Sequence, residues 1–436
     1  MKTRRSVSAL LLLSLLVASV LTGCGGKTKP AEGTPPSQAQ KVKLTLWQHD
    51  NPDFNEATQK AIDKFKEQNP NIEVDVQTFP YDVYIQKIKA AFAANTEPDI
   101  LQIFGTWVPD YSSQGFLDAV PDSLMAQKDD FYPAALGAYT WQGKLYGLPH
   151  EYNLENGGML VHPAMFQAAN LSYPKTWDEL VADAKKLTKR DSQGITQAGF
   201  IFTSTDNITY SLLSFILQQG GDYWNADKTG VKLSSPEATK AWNAMLDLVL
   251  VDKVEDPKLI PPTGDEDISD YFFKGQAAMA YRGPWTIANG LHQYNLKDFE
   301  YAPVPPFAGD KPYFAAESGW GETVSARSKN KEAAWKLVGY LTGDAALDWN
   351  VRSFTVPARK GVAANPKFVE ATGPMMKTSL GVLEFGRWIG PLRDRDQFFD
   401  IINRHFMAAA DKLETREASL KAAETEINAM LAEKSK

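Results

Sequence analysis

Val42-Lys43-Leu44-Thr45-Leu46-Trp47 decides the fold, because Val42, Leu44 and Leu46 alternate with Lys43 and Thr45. That period of two is what a half-buried strand requires. After a polar loop with Pro52, the segment Phe54 to Gln68 carries Ala57, Ala61, Ile62 and Phe65 at helical spacing, and Asn69-Pro70-Asn71 stops it. Ile72-Glu73-Val74-Asp75-Val76 alternates again, Tyr81 to Ala94 reads as a second helix, and Asp99 to Phe104 is an apolar run of the buried-strand type. A βαβαβ series of this kind argues for a mostly parallel sheet with helices on both faces. Ligands of such sheets sit beyond the carboxyl ends of the strands.

Further along, Thr176 stands as a helix N-cap with Glu179 at capping-box spacing. Ile208 to Gln219 and Pro236 to Val251 read as helices, the second entered by Ser235-Pro236. The Pro- and acid-rich stretch from Asp252 to Asp270 reads as loop, and Asp396 to Lys434 carries a long helical pattern. From Lys41 onward roughly 395 residues remain, more than one core usually supports, so two lobes are expected.

Towards the amino terminus, Lys2, Arg4 and Arg5 precede an uncharged run from Ser6 to Val20 and then Leu21-Thr22-Gly23-Cys24. A basic start, an apolar middle and a small-residue cleavage site are the parts of an export signal. The apolar run falls short of the roughly 18 to 20 residues that span a membrane. Cys24 is the only cysteine, so no internal disulfide can form. Residues 25 to 40, rich in Gly, Pro, Lys, Thr, Ser and Gln, cannot bury a core and read as a spacer. Loss of Lys2, Arg4 and Arg5 with the signal takes the formal charge from -7 to -10. An acidic chain of this kind carries no electrostatic footprint for nucleic acid.

Leu21-Thr22-Gly23-Cys24 resembles the bacterial lipobox, which implies cleavage before Cys24, a diacylglycerol on its thiol, and a tether on the outer face of the cell membrane. Several further blocks resemble the extracellular solute-binding proteins that deliver carbohydrates to ABC importers (solute-binding protein family 1, maltodextrin-binding-protein-like). They are the opening strand ending in Trp47, Asn95-Thr96-Glu97-Pro98-Asp99-Ile100, and Trp141-Gln142-Gly143-Lys144-Leu145-Tyr146-Gly147-Leu148-Pro149. Lys274-Gly275-Gln276-Ala277-Ala278-Met279, running on to Gly283-Pro284-Trp285, is the most distinctive, and Tyr301-Ala302-Pro303-Val304-Pro305-Pro306 resembles the return crossing. The match spans nearly all of the chain after the tether.

The resemblance implies an α/β, two-lobe, periplasmic-binding-protein-like fold of type II, each lobe a mostly parallel sheet flanked by helices, with a ligand cleft between lobes that closes by a hinge. The expected boundaries are a signal at 1–23, lipidated Cys24 and tether at 24–40, a first lobe from 41–149 and 304–350, and a second from 150–303 and 351–436. It also implies a monomer that binds a carbohydrate, here read as an oligosaccharide, works with ABC permease subunits, and needs no cofactor or metal.

Sugars have apolar faces and polar rims, so aromatic rings and carboxylate, amide or Arg groups are the candidates. Trp285 follows the Gly283-Pro284 turn, where the family places a stacking ring. Trp320 lies between Gly319 and Gly321, which would let a ligand approach closely. Trp47 and His49 stand at the ligand edge of the first strand, Trp107 follows the third, and Glu151 and Tyr152 sit at the first crossing within a run, 150–156, more polar than the family pattern. Trp388 resembles an aromatic that a late loop contributes. His49 lacks a second ligand at metal spacing. A glycan-processing enzyme would need two facing carboxylates, for which Glu151 and Glu317 are candidates. No Gly-x-Ser-x-Gly elbow, His-Glu-x-x-His helix or Walker loop is present, so a binder is preferred. Polyamine capture by the same acids and aromatics is the alternative ligand class.

Overall fold

The computed structural model describes residues 41–259 and 267–434. The signal, Cys24, the tether and part of the expected 252–270 loop lie outside these residues. In the first lobe, β1 (Val42–His49), β2 (Ile72–Phe79), β3 (Ile100–Phe104), β4 (Gly147–Pro149) and β5 (Trp320–Val324) form one sheet in the order β2-β1-β3-β5-β4. β1 pairs in parallel with β2 and β3, and β5 runs antiparallel to β3 and β4. The βαβαβ reading therefore holds. The last strand in sequence lies between the third and fourth in space, so the chain must visit the second lobe before it completes the first.

Local chemistry explains the helices. Helix α1 (Pro52–Gln68) starts where the Asn51 side chain accepts from the backbone N–H groups of Asp53 and Phe54, with Pro52 in the first turn. Its buried stripe of Phe54, Ala57, Ala61, Ile62 and Phe65 packs into the first core. Burying one such Phe contributes about 1.5–3 kcal/mol. Helix α2 (Tyr81–Ala94) ends at Asn95, which takes the left-handed conformation a cap needs. Thr176 does cap the helix Trp177–Leu187, but Glu179 reaches the N–H of Lys175 and leaves the capping box open. The long C-terminal pattern divides into Arg395–Ala410 and Arg416–Lys434.

The second lobe departs from the expected mostly parallel sheet. Met159–Val161 pairs antiparallel with both Met279–Tyr281 and Glu300–Ala302, and among the described residues of this three-stranded sheet parallel pairing is confined to the bridges Ala198–Ala277 and Ile201–Ala280. Its strands are three residues long, and their burial comes from a helical shell: Trp242, Phe398, Ile402 and Ile427 all belong to this second core. Of the block Lys274–Met279, only Met279 is in the strand; Gly275 makes a turn with positive φ.

The crossings also differ from expectation. Phe314–Ala316 pairs in parallel with Gly386–Trp388, and Phe314 and Ala316 enter the first core while Ala315 enters the second. Between 351 and 383, Val356, Ala358, Phe368, Met376 and Leu383 pack in the first core, so the change to the second lobe expected at 351 falls near Gly386. Among the described residues no helix is long and apolar enough to cross a membrane.

Candidate binding cleft between the lobes

The carboxyl ends of β1 and β3 and the start of α2 bring His49, Phe104 and Tyr81 to one edge, and antiparallel β5 starts there with Trp320. Trp320 stacks on His49 at 4.2 Å and on Phe104 at 4.1 Å between ring centroids. With both faces covered and 5 % exposure, it cannot stack on a ligand as expected and instead braces the wall. Its glycines serve the protein as well. Gly319 has φ +72°, and a Cβ there would lie 2.5 Å from Cγ of Glu151. A Cβ on Gly321 would meet the Tyr139 hydroxyl and the Leu148 carbonyl.

Trp47 sits two residues back from the edge, packed on Phe79 at 5.3 Å and capped by the Lys87 ammonium, so it is wall rather than cleft. Trp107 meets Trp320 edge-on at 5.8 Å, and its indole N–H is buried without a partner. The Tyr81 hydroxyl is likewise unpartnered. His49 is held neutral: burial pulls its pKa down to about 4 against the opposing Gln102 hydrogen bond.

Two arginine–acid clusters abut this wall. Glu317, 1 % exposed, accepts from the Thr106 hydroxyl at 2.5 Å, from the Tyr210 hydroxyl, and from Arg395 Nε at 3.0 Å. Arg395 also forks onto both Asp206 oxygens at 3.2 and 3.0 Å and lies over the rings of Phe104 and Phe399. Thr106 belongs to the first lobe, and Asp206 and Tyr210 to the second-lobe helix Thr205–Gln218. A backbone N–H from Asp394 to Asp110 at 2.8 Å ties the turn before Arg395 to the first lobe.

In the second cluster Arg282 donates to Glu155 at 2.9 Å and to Asp267 at 3.1 Å through Nε, and covers one face of Trp285 at 4.9 Å. Trp285 Nε1 donates to Glu155 at 3.2 Å. The Trp285 ring is partly exposed and, among the described residues, makes no ring–ring contact, so the face away from Arg282 is a candidate for stacking on a ligand. Glu151 accepts from the Trp320 N–H at 3.0 Å, and burial, with Glu155 and Glu317 nearby, pushes its pKa up to about 8. Burial also raises that of Glu155, against the pull of Arg282. Such a cleft offers a partly exposed ring, fixed donors and fixed acceptors, the elements that take a polyhydroxylated ring out of water.

Residues 51–347 match the family model of the bacterial extracellular solute-binding proteins. This chain belongs to that family. This solute-binding protein is 29 % identical over 333 residues to a binding protein of Brucella abortus, covering 72 % of this chain and 74 % of that one. A maltotriose-binding protein of Pyrococcus abyssi is 25 % identical over 307 residues, covering 69 % of this chain and 62 % of the relative. A solute-binding protein of Thermotoga lettingae solved with α-D-tagatose superposes with a TM-score of 0.79 at 26 % identity, covering 90 % of this chain and all of that one.

Within this solute-binding protein, Tyr152 is buried in the first core, stacked on Tyr132 at 5.6 Å, and is not available for stacking on a ligand. Trp388 packs against the second core from the paired crossing strand. Sequence reasoning missed Glu155, Asp206, Arg282 and Arg395. Arg282 could have been found, because it directly precedes the Gly-Pro-Trp turn, and Glu155 lies in the polar run 150–156. Asp206 and Arg395 carry no local signal. Asp53 of α1 also reaches across to His292 of the second lobe at 2.9 Å, joined by Arg352. Among the described residues no group of three or more His, Cys, Asp or Glu side chains could hold a metal ion.

Proposed function

We propose that this protein captures an oligosaccharide between its lobes, delivers it to an ABC import permease, and is held at the outer face of the cell membrane by a diacylglycerol on Cys24. The observation that carries the reading is Trp285, a partly exposed ring with one face backed by the Arg282 guanidinium and its N–H held by Glu155. The face away from Arg282 takes the apolar side of a pyranose while Arg282, Asp206 and Arg395 stand by for its hydroxyls. The maltotriose-binding and tagatose-bound relatives support a sugar as cargo.

Closure follows from where the groups reside. Thr106 and Tyr210 come from different lobes and meet on Glu317, so a ligand that touches both walls stabilises the joined state. The protein is read as a binder and not as a glycan-processing enzyme, because Glu151 and Glu317 are occupied with the protein's own N–H and O–H donors. Titrating maltotriose, mannobiose and gluco-oligosaccharides under tryptophan fluorescence, followed by sizing of the sugars, tests both points. A saturable signal with unshortened sugar is expected; shortened product overturns the binder reading. For the anchor, Cys24→Ser releases the protein into the medium; retention in the membrane fraction contradicts it.

A further inference from the structure

Beneath the cleft wall runs a buried polar row that the binding reading does not use. Gln102 of β3 and Glu322 of β5 are direct cross-strand partners, and Gln48 of β1, one residue past the Trp47–Leu101 pair, lies beside Gln102. All three are 0 % exposed. Gln48 gives its amide N–H to Asn55 at 2.6 Å and leaves Oε1 without a donor, and Glu322 accepts from His150 at 3.1 Å and leaves Oε2 without one. Gln102 therefore stands in register between two residues that each leave an acceptor oxygen unpartnered, and its own unpartnered atom is the donor, Nε2. Paired residues project to the same side of a sheet, so an amide between two acceptors is stable only with its NH2 group towards them.

That orientation fixes the other end of the amide. Gln102 Oε1 stands 3.1 Å from Nδ1 of His49, and a carbonyl oxygen only accepts. The geometry points to Gln102 as a positioning residue that holds His49 as the Nδ1–H tautomer, so that bare Nε2 is offered to the cleft as an acceptor for a ligand hydroxyl. The imidazole is set for this task by its packing. One face lies flat on Trp320 with 7° between planes, and Phe54 and Tyr81 meet it edge-on, so the ring cannot turn over to exchange its two nitrogens. His49 is half-buried, and Nε2 has no hydrogen-bond partner among the described residues. Free imidazole favours neither the geometry nor the tautomer that results; both are imposed by the neighbours. A bare nitrogen discriminates between ligands, because it accepts from a hydroxyl and gains nothing from an ether oxygen or a deoxy position. The acceptor role rests on the reading of this cleft as a sugar site, whereas the tautomer does not.

The test is side-chain 15N NMR of the ligand-free protein at pH 7, with His49 assigned by its loss in His49→Gln. The expected spectrum shows a single neutral form, protonated at Nδ1 and bare at Nε2. Gln102→Leu removes the acceptor, and Glu322→Gln keeps the shape of the row but removes the carboxylate that orients the amide. In either folded variant Nε2–H signal appears at His49 and the single form is lost. An Nε2–H or doubly protonated His49 in the parent protein overturns the inference, as does a pure Nδ1–H form in both variants. If the tautomer holds while no sugar binds, the His49 assignment stands and the sugar reading falls.

Discussion

Replacing Trp285 by Ala removes the ring face away from Arg282 while leaving the strand and turn before it intact. A fully engaged aromatic buries about 150–250 Å². One face is roughly a third of that, about 60 Å², which at about 25 cal/mol per Å² corresponds to about 1.5 kcal/mol. Affinity for an oligosaccharide should therefore fall about tenfold. The loss of the indole N–H adds to this, because Glu155 loses a donor and Arg282 its stacking partner. Trp285→Phe keeps a ring but not the N–H, and should fall between the two. The assay is isothermal calorimetry with the tightest-binding sugar, alongside thermal denaturation to establish folding. An unchanged Kd in a folded Trp285→Ala protein refutes the assignment of this ring to the site.

Trp320→Ala should behave differently, costing about 3–5 kcal/mol of stability because the ring is sandwiched between His49 and Phe104. Urea denaturation reads it, and a variant as stable as the parent would return Trp320 to the cleft. Gly319→Ala forces a left-handed residue, at about 1–2 kcal/mol, before the clash with Glu151 is counted, so a loss of at least that size is expected in the same assay. Glu151 gives a pH signature. Its folded pKa of about 8 lies above the 4.5 of the ordinary carboxyl, so the folded state holds a proton that the unfolded state has released between those values. The contribution is full below pH 4.5 and is lost as pH rises to 8, at about 1.4 kcal/mol per unit. Glu151→Gln should flatten that fall relative to the parent; identical slopes would show that Glu151 does not carry it. His49 acts in the opposite sense between about 4 and 6.5, which is why the difference between the two proteins is the quantity to measure.

The first lobe was legible because its signals are local. Alternation from Val42 to Leu46, the Ala57–Ala61–Phe65 stripe and the Asn69-Pro70 stop each operate within a few residues. The second-lobe sheet was not legible, since three-residue strands leave no room for a period to show. At the cleft, residue type was readable and facing was not. Trp47 and Trp320 have the chemistry of a sugar platform, yet Lys87 and Phe79 cover one and His49 and Phe104 cover both faces of the other. Glu155, Asp206, Glu317 and Arg395 gain their meaning only when distant segments are brought together, 127 residues apart in the Glu155–Arg282 pair and 189 in the Asp206–Arg395 pair. The Gly319 and Gly321 pair carried a true signal of close approach, but the approaching groups were the protein's own Glu151 and Tyr139.

The most direct test of the account is calorimetry of the parent protein against a panel of maltotriose, mannobiose, other neutral oligosaccharides and a polyamine at low ionic strength. Saturable heat with at least one oligosaccharide, at a stoichiometry of one and lost or weakened in Trp285→Ala, is the predicted result. Heat with the polyamine alone, or none with any sugar, would contradict the claim that the cleft between the lobes is built for carbohydrate.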